Sequence, residues 1–111
     1  MLARTHGLMH KIPTAAGLVF VGGTTLGGGG DAYTSVSLTA LTGGIASAPA
    51  TGDIVIVAHG WCSTSDGDPT ISGYTELTEL YVSDNEDANL VVAYKIMTAT
   101  PDTAVTVPQT G

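Results

Sequence analysis

The sequence predicts an all-β domain: an antiparallel β-sandwich with an extended N-terminal arm, and jelly-roll connectivity as one way of closing it. Three observations lead there. First, threonine is conspicuous and glycine numbers 15 residues, while charged residues make up only 12%; this is the composition of short strands joined by turns. Second, residues 32–40 alternate, with Val36, Leu38 and Ala40 on one side and Ser35, Ser37 and Thr39 on the other, the period of a strand with one buried face. Third, about six strand-like segments recur at roughly 15 to 20 residues with no convincing helix between them, and connections without a helical crossover favour antiparallel pairing. Six strands barely close a sandwich, so an exposed edge is expected, and an exposed edge has to be protected or paired.

Residues 1–15 read as an arm, ahead of a domain over 16–111. The arm holds two of the three basic residues, Arg4 and Lys11, and two of the three histidines, His6 and His10. The first strand is expected over the apolar run Ala15–Val21, which ends at Gly22-Gly23, and the second over Ala32–Ala40. Residues 43–50 read as a loop. Asp53–His59 lacks polar alternation, which predicts a central strand covered on both faces, ended by Gly60-Trp61-Cys62. Ser63–Pro69 is a polar surface loop. Gly73–Val82 reads as a strand of weak phase: Tyr74, Leu80 and Val82 share one parity, and Leu77 and Tyr81 the other. A short helix is the alternative there, since Leu77, Leu80 and Tyr81 also fit helical spacing. After the acidic turn 84–87, Leu90–Thr98 places Leu90, Val92, Tyr94 and Ile96 on one face. A last strand over Ala104–Val107 turns Val105 and Val107 inward, and Pro108 suits its end.

With a net charge of −7, the chain lacks the basic surface that nucleic-acid phosphates require, and the same balance disfavours anionic membranes. No apolar run approaches the roughly 20 residues of a membrane-spanning helix. The single Cys62 excludes an internal disulfide, and Met1–Gly7 is a poor start for a signal peptide, so a cytoplasmic origin is expected.

Several constellations suggest chemistry, and each lacks a part. Gly23 and Gly28 have phosphate-loop spacing, but Gly29 and Gly30 stand where lysine and a hydroxyl are needed; a flexible loop, or close packing of backbone against a neighbour, is the plainer reading. Ala58-His59-Gly60-Trp61 suggests the neighbourhood of a hydrolase oxyanion hole, without the nucleophile elbow; His59 is then a strand-end residue with a local partner, and Trp61 covers the core edge. His6 and His10, at i and i+4, begin a metal site whose further ligands would come from His59 or Cys62. Asp66 and Asp68, and Asp84, Glu86 and Asp87, alternate as calcium ligands do but do not fit an EF-hand register. Cys62 reads as a small packing residue. Val107–Gly111 has the Pro-x-Thr-Gly core of a sorting signal without its apolar anchor. No catalytic residue, cofactor or metal is therefore expected.

Three segments carry a family likeness: Gly52-Asp53-Ile54-Val55-Ile56-Val57-Ala58, Gly73-Tyr74-Thr75-Glu76-Leu77 and Val92-Ala93-Tyr94-Lys95-Ile96-Met97. Together they resemble small structural modules of tailed-bacteriophage virion proteins, in which a Gly-Asp strand, a Gly-Tyr/Trp-Thr strand and a Tyr-Lys strand follow one another. The resemblance spans about residues 17–100. It implies a non-enzymatic virion component assembled in the host cytoplasm, oligomeric, and bound to other virion proteins. A capsid decoration or cement subunit on the major capsid protein fits best, with a tail or fibre-base subunit close behind. In this reading Arg4, His6, His10 and Lys11 are the arm's contacts with a neighbour. A carbohydrate-binding β-sandwich is the alternative of another class, with Trp61, Tyr74, Tyr81 and Tyr94 as stacking surfaces.

Overall fold

The computed structural model describes residues 17–27, 35–63, 65–84 and 87–107. Among these the chain is all-β, with five strands and no helix: β1 (Ser35–Ser37), β2 (Ile54–Ser63), β3 (Thr75–Val82), β4 (Asp87–Ile96) and β5 (Ala104–Thr106). All pairing is antiparallel. β2, β4 and β3 form one sheet in that order, and β1 and β5 form a second. The arm over residues 1–15, with Arg4, His6, His10 and Lys11, lies outside the described residues.

β4 occupies the centre because it is apolar on both parities. Val91 and Ala93 are each 1% exposed on one side, and Leu90, Val92 and Tyr94 line the other. The expected central strand is instead an edge. β2 alternates strictly between exposed and half-buried along its whole length, so its continuous apolar run serves one covered face and one open one. Nor does Gly60 end it. Gly60 pairs with Leu90, Trp61 with Asn89 and Cys62 with Ala88, because the ladder with β4 holds the backbone extended past a residue that has no side chain to pack.

β3 is a strand, and its weak phase has a structural cause. The register with β4 shifts between Glu76 and Thr78, leaving Leu77 unpaired in a β-bulge. One extra residue inverts the parity of everything after it, which is why Leu77 falls out of step with Leu80 and Val82. The bulge also brings Glu76 and Glu79 to the same face of the sheet, in line with Ala93 and Val91.

Two glycines set the chain into these strands. Gly52 (φ +88°) and Gly73 (φ +80°) each occupy the third position of a four-residue turn, closed by Asp53 N–H to Ala50 O at 3.1 Å and by Tyr74 N–H to Ile71 O at 3.0 Å. Positive φ at that position is what a type II turn demands. The Asp53 carboxylate seals the first turn by accepting from Ala50 N–H at 2.7 Å, and Met97 N–H to Asp53 O at 2.8 Å continues the β2–β4 ladder.

The first expected strand does not form over the described residues 17–21. Leu18, Val19 and Phe20 are exposed, and pairing with the facing segment is limited to a single bridge, Gly23 with Thr42, plus bonds from Ile45 and Ala46 N–H to Phe20 and Val21 O. Gly43 (φ +77°) breaks the partner's extended backbone immediately after Thr42, so no ladder can propagate. Close packing holds at one end of the glycine run, since a Cβ on Gly22 would meet Ala46 O and Leu41 Cβ at 2.8 Å, while a Cβ on Gly27 would meet nothing within 4 Å.

The core is one cluster, Leu38, Ile71, Val91, Ala93, Val105 and Val107, with Leu41, Val55, Val57, Trp61 and Tyr74 packed around it. It joins residues of both sheets, and Val105 and Val107 do turn inward. The stretch after β2 is more than a surface loop, since Pro69 is buried and Ile71 is 2% exposed. Ile71→Ala should therefore destabilise the fold by about 2–5 kcal/mol. Gly52→Ala meets no steric obstacle and should cost about 1 kcal/mol through its positive φ alone. Urea unfolding midpoints check both, with exposed Ile45→Ala, expected within about 0.5 kcal/mol of the parent, as reference.

Candidate functional site

The register divides the three-stranded sheet into two faces of opposite character. Directly paired residues share a face. The inner face, toward the second sheet, carries Val55, Val57, His59 and Trp61 of β2, Asp87, Asn89, Val91, Ala93 and Lys95 of β4, and Glu76, Glu79 and Tyr81 of β3. The outer face is built in rows: Ile54–Ile96, Ile56–Tyr94–Thr75, Ala58–Val92–Thr78, Gly60–Leu90–Leu80 and Cys62–Ala88–Val82. None of these residues is charged. Ile54, Ile56, Leu80, Val82 and Ile96 are all between 55% and 66% exposed. The sheet measures about 33 Å along its longest strands and about 14 Å across three, which gives a flat area on the order of 450 Å². Patches of that size on a monomer commonly serve recognition.

The inner face shows two local arrangements. At one end, Lys95 Nζ donates to both carboxylate oxygens of Asp102, at 2.8 and 2.7 Å, and lies 5.7 Å from the centroid of the Tyr74 ring. Tyr74 OH donates to the same carboxylate at 3.3 Å. The Lys95 ammonium holds the Asp102 carboxyl below its ordinary range, against the opposing effect of burial. Burial, then the Asp102 charge and its hydrogen bond, push the Tyr74 phenol up to about 12. This cluster fastens the β4–β5 connection to the start of β3. It consumes the polar capacity of all three groups on one another, as a structural tie does.

At the other end, His59 and Trp61 stack at 5.1 Å between centroids and 21° between planes. Gly67 lies against the indole, 3.5 Å from a built Cβ to Cζ2. Asn89, 4% exposed, holds this loop down: Oδ1 accepts from Gly67 N–H at 3.2 Å and Nδ2 donates to Ser65 O at 3.5 Å. A single polar residue inside a strand offered no periodic signal, so sequence reading missed it. The expected local partner of His59 is absent: among the described residues His59 Nε2 and Trp61 Nε1 are buried without a hydrogen bond. Stacking, rather than hydrogen bonding, fixes the imidazole, and desolvation lowers its pKa.

The other candidate residues are scattered. Asp53 caps its turn, and His59 lies six residues along the strand, about 20 Å away. Cys62 is exposed on the outer face, which corrects its reading as a packing residue: as the last outward position of an edge strand it has no covering layer. Asp66, Asp68, Glu76 and Glu79 share a neighbourhood that raises the Glu79 carboxyl, through desolvation first and then these like charges. No group of three or more His, Cys, Asp or Glu is placed to hold a metal among the described residues. Asp87 accepts a hydrogen bond from Tyr81 OH at 2.8 Å. Trp61 and Tyr74 pack against the core while Tyr94 faces outward, so the aromatic residues do not share one stacking platform.

The three segments that carry the family likeness are brought side by side. Ile56, Tyr94 and Thr75 form one row, and Gly52 N–H donates to Met97 O at 2.9 Å. No protein-family model, curated protein or solved structure matches the chain.

Two of the perturbed groups, Tyr74 and His59, give testable pH signatures. Tyr74 titrates higher folded than unfolded, so its contribution is complete below about pH 10 and is lost as pH rises toward about 12. Phenolate absorbance should show a step near 12 that Tyr74→Phe removes. His59 is shifted the other way, below 6.5, so its contribution is present above that pH and is lost on acidification. Urea midpoints should fall between about pH 7 and pH 5, and His59→Phe, which keeps a ring against Trp61, should flatten that fall.

Proposed function

We propose that this chain is a non-enzymatic structural subunit of a tailed-bacteriophage virion, a capsid decoration or cement protein that binds neighbouring capsid proteins and stabilises the particle. The observation that carries the reading is the outer face. A sheet whose open side holds only uncharged, mostly apolar residues, in a chain of net charge −7, is built to be covered by another protein surface. The likeness of Gly52–Ala58, Gly73–Leu77 and Val92–Met97 to virion modules supplies the kind of assembly. The two sheets are the layers of a sandwich, and neighbouring molecules complete it. The arm, through Arg4, His6, His10 and Lys11, crosses onto an adjacent subunit. A tail or fibre-base position is the second reading, supported by the same likeness.

Virions carrying this chain, separated into heads and tails and probed with an antibody, test the proposal. The protein is expected in the head fraction at a fixed ratio to the major capsid protein. Recovery with tails transfers it to the second reading, and absence from both fractions removes it from the virion. Leu80→Lys, which places a charge on the outer face, should reduce retention on particles at least tenfold, a loss of about 1.4 kcal/mol. Deleting residues 1–15 should weaken retention while leaving the domain folded.

A further inference from the structure

The two edges of the three-stranded sheet are built differently. The β3 edge is guarded: it carries Glu76 and Glu79, and the bulge at Leu77 interrupts its ladder. Charges and bulges are the devices that keep a strand from being added. The β2 edge has neither. Its ten residues, Ile54–Ser63, contain no Asp, Glu, Lys, Arg or Pro, and its register with β4 runs without a shift.

The phase of that edge follows from one bond. Met97 N–H donates to Asp53 O, so Asp53 turns its backbone toward β4. In an antiparallel ladder this direction alternates. Val55, Val57, His59 and Trp61 therefore spend their backbone groups on β4, while Ile54, Ile56, Ala58, Gly60 and Cys62 turn theirs to the opposite edge, which pairs with no strand among the described residues. Among the described residues no backbone hydrogen bond outside the strand ladders reaches these five.

We propose that β2 pairs along this edge with β2 of a second copy, antiparallel about a two-fold axis, joining two three-stranded sheets into one of six strands. Charge allows a second copy as the occupant. Two copies of an acidic chain repel, yet this edge and the outer face beside it bring no like charges together. Symmetry then restricts the register. Opposed residues must lie on the same face of the sheet, so the axis passes through a residue opposite itself, Ala58 or His59. Centring on Ala58 engages all five outward backbone positions within β2 and sets large against small, Ile54 opposite Cys62 and Ile56 opposite Gly60. The result is a continuous uncharged face across six strands. This pairing stands apart from the virion reading, because it concerns the purified chain alone.

Sedimentation of the full chain at about 1–100 μM, a range matched to ordinary specific association, should show a dimer. Ala58→Pro deletes an N–H aimed at the edge away from β4 and leaves the β4 ladder intact; Ala58→Lys opposes two ammonium groups at the axis. Each should weaken dimerisation at least tenfold, with circular dichroism showing a folded strand content. Leu80→Lys, on the far side of the outer face, should leave the dimer unchanged. Opposed residues in a hydrogen-bonded pair lie about 5.5 Å apart, within disulfide span, whereas Ile54 and Cys62 of one chain are about 26 Å apart. Ile54→Cys should thus give a covalent dimer under oxidising conditions. A monomeric parent chain, a dimer lost to Leu80→Lys but kept by both Ala58 variants, or no cross-link from Ile54→Cys would each overturn the proposal.

Discussion

The fold depends first on β4, the one strand among the described residues that is hydrogen-bonded along both sides. Its sequence, DANLVVAYKI, is apolar on both parities through its middle. Val91 and Ala93 enter the shared core, and Leu90, Val92 and Tyr94 form the spine of the outer face. Burying a side chain of valine or isoleucine size contributes about 1.5–3 kcal/mol, and β4 with its partners supplies two of the core's six members directly. Asn89 adds a constraint of another kind. A buried amide has to be hydrogen-bonded, and its two bonds, to Gly67 and Ser65, draw the loop after β2 over Trp61. Ile71 and Pro69 are buried at the end of that same loop.

The distribution of charge is the consequence with most bearing on function. In a small soluble sheet the usual arrangement is apolar residues inward and charges outward. Here the charges of the three-stranded sheet, Glu76, Glu79, Asp87 and Lys95, sit on the face toward the second sheet or at its margins. Lys95 is neutralised by Asp102 at 2.7 Å, and of the β3 carboxylates Glu76 is exposed and Glu79 half-buried. The outer face is left with side chains that gain by being covered. Trp61 and His59 stack on one another, and Tyr74, Lys95 and Asp102 tie one another together.

The elements most legible in the sequence were those fixed by local chemistry. The strands over Asp53–His59 and Gly73–Val82 formed near where they were expected, whereas Gly52 and Gly73 as turn residues of positive φ were not read from the sequence, which placed Gly73 in the strand itself. Val36 with Leu38, and Val105 with Val107, alternate, and their buried parity was readable directly. Two strand expectations failed for identifiable reasons, and a third was met with its phase explained. The run ending at Val21 is apolar enough for a strand, but Gly43 in the facing segment stops the ladder. Asp53–His59 looked central because uniform apolarity does not distinguish a strand buried twice from one left open on one face. The phase of Thr75–Val82 was blurred by a bulge, whose extra residue is invisible until the partner strand is known.

The sequence by itself determined the all-β class, the exclusion of an internal disulfide and the acidic, charge-poor composition, because each of these depends on residues' own backbone preferences or on simple composition. Only the tertiary structure decided which strand lies in the middle, which face of the sheet stays open and which edge is guarded. Those are properties of pairing. They depend on which residues meet across a ladder, and a one-residue shift in that ladder exchanges the inside of a sheet for the outside.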